Sequence, residues 1–415
     1  MKVQDRFLKY VSFTTTSNEN SETCPSTRQQ FELGKYLAEE LERIGLSQVK
    51  IDEHCYVYGL LPATSGREND TPIGFISHMD TSPDFSGENS KPQIIENYDG
   101  EDVLLKGSGK VLKVDDFPTL KWLKGRTLIT TDGTTLLGAD DKAGIAEIVT
   151  AMEELIETDR HAESRGYENL SGHGDIWVCF TPDEEIGRGA DKFDLDYFKA
   201  KYAYTVDGSY EGEIAYENFN AASAKFTIHG KSVHPGEAKG IMKNASLIAA
   251  EIAMTLPANE TPATTEGREG FYHLTDIKGD VSAATLDYIV RDHDQTHFEE
   301  RQKDLKEIAK KVNEKYGDGT VELELKHSYS NMLQVIEKSP EVLERARTAI
   351  ESAGITPVCD PVRGGTDGAK LSFMGLPCPN LGTGGYGYHG PFEHISVEGM
   401  QTVVKIIKNI AMARG

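Results

Sequence analysis

The chain has 415 residues, of which 38% are hydrophobic and 27% charged, a composition typical of a globular protein. Its 44 Lys and Arg residues face 67 Asp and Glu residues, and the resulting net charge of −23 disfavours nucleic acid as a partner, because a polyanion would be repelled. No apolar run approaches the ~18 residues of a membrane span, and the first residues lack the apolar stretch of a signal peptide, so we expect a cytoplasmic protein with no membrane partner.

The N-terminal part of the chain alternates helical and strand-like patterns. Leu33, Leu37 and Leu41 share one face of a helix predicted over 28–44. Apolar patterns predict buried strands over 56–61, 72–77 and 175–180. A second helix is predicted over 143–156. This alternation is typical of α/β layer folds, and the long polar segment 84–124 is predicted to lie outside the sheet.

The pattern changes near residue 218, and the length, which exceeds the roughly 250–300 residues of one core, already predicts two domains. The later patterns predict elements in the order β-α-β-β-α-β, at 222–229, 244–256, 271–278, 283–292, 295–316 and 320–326. This order is typical of a ferredoxin-like α+β unit. After it, helices are predicted over 340–353 and 397–411. We therefore predict an α/β domain with a mixed sheet, residues 1–217 and 327–415, interrupted by a smaller α+β domain, residues 218–326.

The first chemical motif is formed by His78 and Asp80, at the end of the strand predicted over 72–77. Open α/β sheets bind their ligands at the carboxyl ends of the strands. Residues two apart in an extended chain point to the same side, so His78 can bind a metal while Asp80 contacts its ring or a reacting water. A His-x-Asp pair in this position can also be a simple surface pair.

A turn with two adjacent acids, Asp140 and Asp141, precedes the helix predicted over 143–156. An aspartate at the start of a helix is commonly an N-cap, which accepts hydrogen bonds from free backbone N–H groups. A cap explains only one of the two carboxylates, however, and the flanking glycines indicate a backbone of unusual shape. The other carboxylate is therefore a candidate metal ligand.

Three consecutive acids, Asp183, Glu184 and Glu185, follow another predicted strand. They form either a solvated acidic turn or a set of metal ligands, since a divalent cation would relieve their repulsion. Asp207 at a further strand end and His389 in a glycine-rich loop are, taken singly, typical of turn and surface residues. Together the motifs supply enough ligands for two metal ions: His78, Asp140, Glu185, Asp207 and His389.

In this order the motifs resemble those of the M20 family of co-catalytic zinc peptidases, and within it the tripeptide aminopeptidases. The resemblance runs from His78 to His389 and includes the inserted α+β domain. It implies two Zn²⁺ ions per subunit, with Co²⁺ or Mn²⁺ as substitutes. One zinc would be bound by His78 and Asp207. The other would be bound by Glu185 and His389, and Asp140 would bridge the two.

The resemblance also implies roles for five further residues. Glu184 would be the general base that takes a proton from water and returns it to the leaving amine, and Asp80 would orient the neighbouring histidine. His234 in the inserted domain would stabilise the oxyanion of a neighbouring active site across a homodimer. Arg291 and Arg363 would bind carboxylate or carbonyl oxygens of the peptide. From the residues alone, His234 is equally a turn residue and the two arginines are solvated.

The implied function is that of a cytoplasmic dizinc aminopeptidase that removes the N-terminal residue from tripeptides with a free N-terminus. The inserted domain would serve as lid and dimerisation domain, and the peptide bond between Asp140 and Asp141 would be cis. The long polar segments 84–124 and 157–174 favour the tripeptide branch. The alternatives are another M20 hydrolase, either a dipeptidase or an N-acyl amino acid deacylase, and a peptide-binding protein without catalysis. The presence of Glu184 and Asp80 argues against the last, because binding alone needs no base.

Overall fold

The computed structural model describes residues 1–164 and 172–414, so the polar stretch 157–174 lies partly outside it. Contacts divide the chain into two compact units, which are considered separately. The larger unit comprises Met1–Tyr216, Gln334–Asp360 and Thr366–Gly415, and the smaller unit comprises Glu217–Leu333 and Pro361–Gly365. None of the described helices combines the length and the apolar character needed to cross a membrane.

The helices and strands are given in chain order. The α-helices are α1 (Val3–Tyr10), α2 (Gln30–Ile44), α3 (Ala139–Ser164), α4 (Ala245–Thr255), α5 (Gln295–Tyr316), α6 (Leu333–Ile336), α7 (Pro340–Ala353), α8 (Asp367–Phe373) and α9 (Val397–Met412). The strands are β1 (Ser47–Ile51), β2 (Val57–Leu61), β3 (Ile73–His78), β4 (Gln93–Ile95), β5 (Val103–Leu104), β6 (Val111–Leu112), β7 (Leu128–Thr130), β8 (Ile176–Thr181), β9 (Tyr202–Gly208), β10 (Ile214–Ala215), β11 (Asn220–His229), β12 (Phe271–Gly279), β13 (Ala283–Asp292), β14 (Val321–Tyr329), β15 (Asn380–Gly382), β16 (Gly385–Tyr386) and β17 (His394–Ser396).

A seven-stranded mixed sheet forms the centre of the larger unit, with strand order β1-β2-β8-β3-β9-β15-β10. Strands β8, β3, β9 and β15 are parallel neighbours and are almost entirely buried, as expected for strands covered on both faces. Helix α3 packs against β3 and β9. Gly144 permits this close approach, because a side-chain carbon there would collide with the carbonyl oxygen of Val206. The predicted α/β class is confirmed, and the start of α3 lies beside the carboxyl ends of the strands.

The larger unit contains a second sheet, with strand order β16-β17-β7-β4, which the sequence patterns do not predict. The segment 84–124 lies outside the seven-stranded sheet, as predicted, but it contributes β4 and the paired strands β5 and β6. These strands have only two or three residues, which is too short for a periodic pattern. Strands β16 and β17 pair with each other and flank the loop that carries His389.

The smaller unit has the order β11-α4-β12-β13-α5-β14 and an antiparallel sheet with strand order β12-β13-β11-β14. Burial alternates along β13, so one face of the sheet is in a core and the other is more exposed. Phe226, Leu286 and Val290 on the strands pack there with Ile248 and Ile308 on the helices. The ferredoxin-like arrangement predicted from the sequence is confirmed.

Candidate metal centre

Acidic side chains and a histidine meet where three parallel strands of the larger unit end. His78 is the last residue of β3, and Asp207 is the last but one of β9. Glu184 and Glu185 lie in a short 3-10 turn that follows β8. Because β8, β3 and β9 are adjacent and parallel, their carboxyl ends form one edge of the sheet. The fold therefore gathers residues that are far apart in the chain.

The carboxylate of Asp140 lies between the two histidine rings of this site. Its Oδ1 is 2.9 Å from Nε2 of His78, and its Oδ2 is 3.4 Å from Nε2 of His389. Nε2 of His78 is also 3.4 Å from Oδ1 of Asp207. Nε2 of His389 is 2.9 Å from Oε2 of Glu185. The five predicted ligand residues thus form two groups that share Asp140.

The backbone of Asp140 is held by the buried Glu393, a residue that no sequence motif singles out. One carboxylate oxygen of Glu393 accepts the backbone N–H groups of Leu137 and Gly138, at 2.6 and 2.8 Å. The other accepts the N–H of Asp140 at 2.9 Å. A buried carboxylate is costly unless it is hydrogen-bonded, and these three donors meet that need. The two residues are 253 positions apart, so no local pattern could reveal their contact.

Asp141 has a different task from Asp140. Asp140 and Asp141 do not have helical backbone angles, so the regular part of α3 begins after them. Oδ2 of Asp141 accepts the backbone N–H of His78 at 3.1 Å, and its Oδ1 accepts that of Gly144, in the first regular turn of α3, at 3.3 Å. Asp141 therefore supplies the helix cap and links β3 to α3, while the carboxylate of Asp140 faces the histidines. The peptide bond between the two aspartates is cis, as the resemblance predicts.

The buried carboxylate of Asp80 connects β3 to the turn after β8. It accepts the backbone N–H groups of Glu184 and Glu185, at 3.0 and 3.2 Å. Nδ1 of His78 lies 3.0 Å from the carbonyl oxygen of Asp80 and 3.3 Å from its Oδ1. Asp80 therefore holds the ring of His78 with Nε2 directed toward Asp140. The carboxylate of Glu184 lies close by, with Oε2 at 4.0 Å from Nε2 of His78.

Asp183 anchors the same turn to the N-terminal segment. It is buried and has a left-handed backbone conformation, with φ of 57°. Its carboxylate accepts hydrogen bonds from the backbone N–H and the hydroxyl of Ser26 and from the side-chain amide of Gln30. The three consecutive acids thus differ in role. Asp183 accepts hydrogen bonds from the N-terminal segment, whereas Glu184 and Glu185 lie beside the histidines.

The three remaining predicted site residues lie in the smaller unit. His234 is exposed, and its Nδ1 accepts the backbone N–H of the residue two positions later at 3.2 Å. The guanidinium of Arg291 lies over the ring of Tyr329, 5.1 Å from its centre. Arg363 donates hydrogen bonds to two backbone carbonyls and a threonine hydroxyl of the same unit. These contacts describe how each side chain is held locally, and the catalytic roles stay predictions.

Comparison with known proteins identifies the family. Residues 216–317 match the peptidase dimerisation domain of the M20 peptidases. Over 415 residues the chain is 54% identical to peptidase T of Caldanaerobacter subterraneus subsp. tengcongensis, an alignment that covers 100% of this chain and 99% of that protein. The chain belongs to the peptidase T family. The predicted family and the predicted class of enzyme, a metallo-aminopeptidase, are thereby confirmed.

Solved structures share the fold of this peptidase T family member along the whole chain. Aminopeptidase PepT of Bacillus cereus is 23% identical with a TM-score of 0.75, covering 99% of this chain and 97% of its own. A tripeptidase of Staphylococcus aureus is 22% identical with a TM-score of 0.76 and the same coverage. A Bacillus subtilis protein, described as a dinuclear metal binding peptidase of the M20 family, is 15% identical with a TM-score of 0.63, covering 99% of this chain and 96% of its own.

Burial and mutual repulsion shift the pKa values of the groups in this site. Burial, followed by the charge of Asp140, raises the pKa of Glu185 to about 8, and burial raises the pKa of Asp207 to about 7. Hydrogen bonds to Asp140 and Glu185 raise the pKa of His389 to about 11. Burial would also raise the pKa of Asp140, but hydrogen bonds from His389 and His78 outweigh it and lower that pKa. Protons held by these groups neutralise part of the acidic cluster.

The side chains of this site fit divalent metal ions. Imidazole nitrogens and carboxylate oxygens are common ligands of zinc and related metals. The candidate ligand atoms of two groups each lie within 4.8 Å of one another: His78, Asp140 and Glu185, and His78, Glu184 and Asp207. Oε1 of Glu185 is buried and has no hydrogen-bond partner among the described residues, so it is placed to contact a cation.

Zinc binding is predicted to release protons, and to release more of them at about pH 6 than at about pH 9. Below the raised pKa values of Asp207 and Glu185, of about 7 and about 8, these groups hold protons that a metal must displace. Zinc affinity should therefore rise with pH through this range. Titration calorimetry in buffers of different ionisation enthalpy measures the proton count, and a pH-independent affinity without proton release would contradict the assignment.

Proposed function

We propose that the chain is a dizinc tripeptide aminopeptidase. His78 and Asp207 would bind one zinc, Glu185 and His389 the other, and Asp140 both. The observation that carries this proposal is the position of Asp140, whose two oxygens lie 2.9 and 3.4 Å from the imidazoles of two different histidines. A site for one metal would need only one histidine beside the carboxylate of Asp140. Co²⁺ or Mn²⁺ would substitute, since both accept the same nitrogen and oxygen ligands.

The site residues suit hydrolysis of a peptide bond. Bound zinc would polarise the scissile carbonyl and raise the acidity of the attacking water. Glu184 would accept the proton of that water and pass it to the leaving amine. Burial, followed by the charge of Asp207, raises the pKa of Glu184, and the positive charge of bound zinc would lower it again so that the carboxylate can accept the proton. Asp80 would fix both the ring of His78 and the backbone of Glu184 during these steps.

Tripeptides with a free N-terminus are the proposed substrates. The full-length relative is named peptidase T, and one solved structure of the same fold is a tripeptidase. The net charge of −23 suits a substrate with a cationic amino terminus, although exposed charges are screened beyond about 8–10 Å. A dipeptidase or an N-acyl amino acid deacylase is the second candidate, because such M20 hydrolases use the same metal chemistry.

The two predicted domains are proposed to have different functions. Residues 1–217 and 327–415 would form the catalytic domain, and residues 218–326 the lid and dimerisation domain, which the match of residues 216–317 supports. A homodimer would let His234 stabilise the oxyanion in the neighbouring subunit. Arg291 and Arg363 would bind oxygens of the substrate. A cytoplasmic location stays a prediction.

Cleavage of Ala-Ala-Ala tests the proposed function directly. The protein should release free alanine from the unblocked tripeptide and leave the N-acetylated tripeptide intact. Chelation should abolish the reaction, and added zinc should restore it, because the site residues act only with the metal. Cleavage of the acetylated peptide would favour the deacylase alternative. Failure to cleave either peptide after zinc is restored would favour a binding protein.

Glu184→Gln should lower kcat by about 10²–10⁴-fold and leave two zinc ions per subunit, since the amide cannot accept the proton. The matched variant is Glu185→Gln, which replaces a carboxylate by an amide at the adjacent residue and should lose one zinc. Turnover and metal content of purified proteins decide between the two roles. Loss of zinc from Glu184→Gln, or near-normal turnover, would refute Glu184 as the base.

Mixed dimers test His234. If it acts on the neighbouring subunit, dimers formed from one His234→Ala and one Glu184→Gln subunit contain one intact active site. Co-expression with two affinity tags allows these mixed dimers to be purified, and they should regain up to half of the wild-type rate. Activity no higher than that of either parent would show that His234 acts within its own subunit or not at all.

A further inference from the structure

The ring of His389 is contacted at both nitrogens by acidic residues. Nε2 faces the metal centre, at 2.9 Å from Oε2 of Glu185 and 3.4 Å from Oδ2 of Asp140. Nδ1, on the other side of the ring, lies 3.2 Å from Oδ2 of Asp84. Asp84 comes from the loop after β3, 305 positions away in the chain. No sequence motif pointed to it, because the segment 84–124 looks like a polar excursion.

The two histidines of the centre are supported in unequal ways. His78 ends a buried strand, its side chain is 2% exposed, and Nδ1 is held by the buried Asp80. His389 lies in a glycine-rich loop, has a left-handed backbone with φ of 61°, and its side chain is 44% exposed. Packing alone therefore restrains the ring of His389 less than that of His78. A hydrogen bond at Nδ1 accordingly matters more for His389.

Asp80 and Asp84 make equivalent contacts with the two histidines of the site. Each histidine presents Nε2 to Asp140, and each has Nδ1 beside an aspartate of the segment that follows β3. A carboxylate at Nδ1 keeps the proton on that nitrogen, which leaves the lone pair of Nε2 free for a metal and makes it more basic. The side chain of Asp84 is 66% exposed, so this contact contributes little to folding.

We propose that Asp84 is a positioning residue, which orients His389 and sets its tautomer for the second metal, the one shared with Glu185. This inference rests on the proposed two-zinc function. Residues in such positions typically change metal affinity by 10–100-fold, and the exposure of Asp84 places the expected effect near the lower end.

Zinc titration of the full-length apo-protein against a chromophoric chelator tests the proposal. Asp84→Ala should weaken one of the two zinc equivalents about 10-fold and leave the other, and the Tm of the apo-protein, unchanged. Asp84→Asn should restore part of the affinity, because its amide oxygen still accepts the hydrogen bond from Nδ1. Glu88→Gln is the matched control, since Glu88 is an exposed acid on the same loop and its loss removes the same charge. It should bind zinc as the wild type does.

Three results would overturn the inference. Equal affinities in Asp84→Ala and the wild type would show that the contact does nothing for the metal. Equal weakening in Asp84→Ala, Asp84→Asn and Glu88→Gln would show an effect of net charge alone. Weakening of both zinc equivalents together with a lower Tm would show a structural role. Fewer than two zinc equivalents in the wild type would instead refute the proposed two-zinc function, and this inference with it.

Discussion

Repulsion among carboxylates at one edge of a buried sheet is the constraint on which the rest of the site depends. The fold divides these acids into two kinds. Asp80, Asp141, Asp183 and Glu393 accept backbone N–H groups, and these hydrogen bonds offset part of the cost of burying them, although burial still raises the pKa of Glu393 to about 7. The acids that contact the histidines through their side chains have no such supply of donors, and protons or cations must balance them. A pair of divalent metals would satisfy this balance.

The acids that accept backbone N–H groups also fix the geometry of the others. Glu393 holds the turn that presents Asp140, and Asp80 holds the turn that presents Glu184 and Glu185. Each turn is held by two or more hydrogen bonds to a buried carboxyl group, so it keeps its shape without any metal. The larger unit therefore preorganises the loops of the site through hydrogen bonds to buried carboxyl groups.

The fold could be predicted from the sequence where elements are long and periodic. Apolar patterns that extend over several residues predict the ferredoxin-like order of the smaller unit and the strands β3 and β8. One atypical residue does not obscure such a pattern. The short strands of the second sheet could not be predicted, because two or three residues carry no period. Helix α1 was missed as well, because its eight residues offer barely two turns of pattern.

The site shows the same limit. The predicted ligand residues stand out because each follows an apolar strand or lies among glycines, and the structure brings all five together at one edge of the sheet. Asp84 and Glu393, which contact this set, carry no such signal, and the sequence does not separate the anchoring role of Asp183 from that of the two glutamates after it. Their partners are separated from them by more than a hundred positions, and only the folded chain shows which acid meets which donor.

The central claim is that Asp140 bridges two zinc ions. Diffraction from crystals of the zinc-loaded protein, collected on both sides of the zinc absorption edge, tests it most directly. The account predicts two anomalous peaks roughly 3.5–4 Å apart, with the carboxylate of Asp140 between them. A single peak, or two peaks of which one has no contact with Asp140, would contradict it.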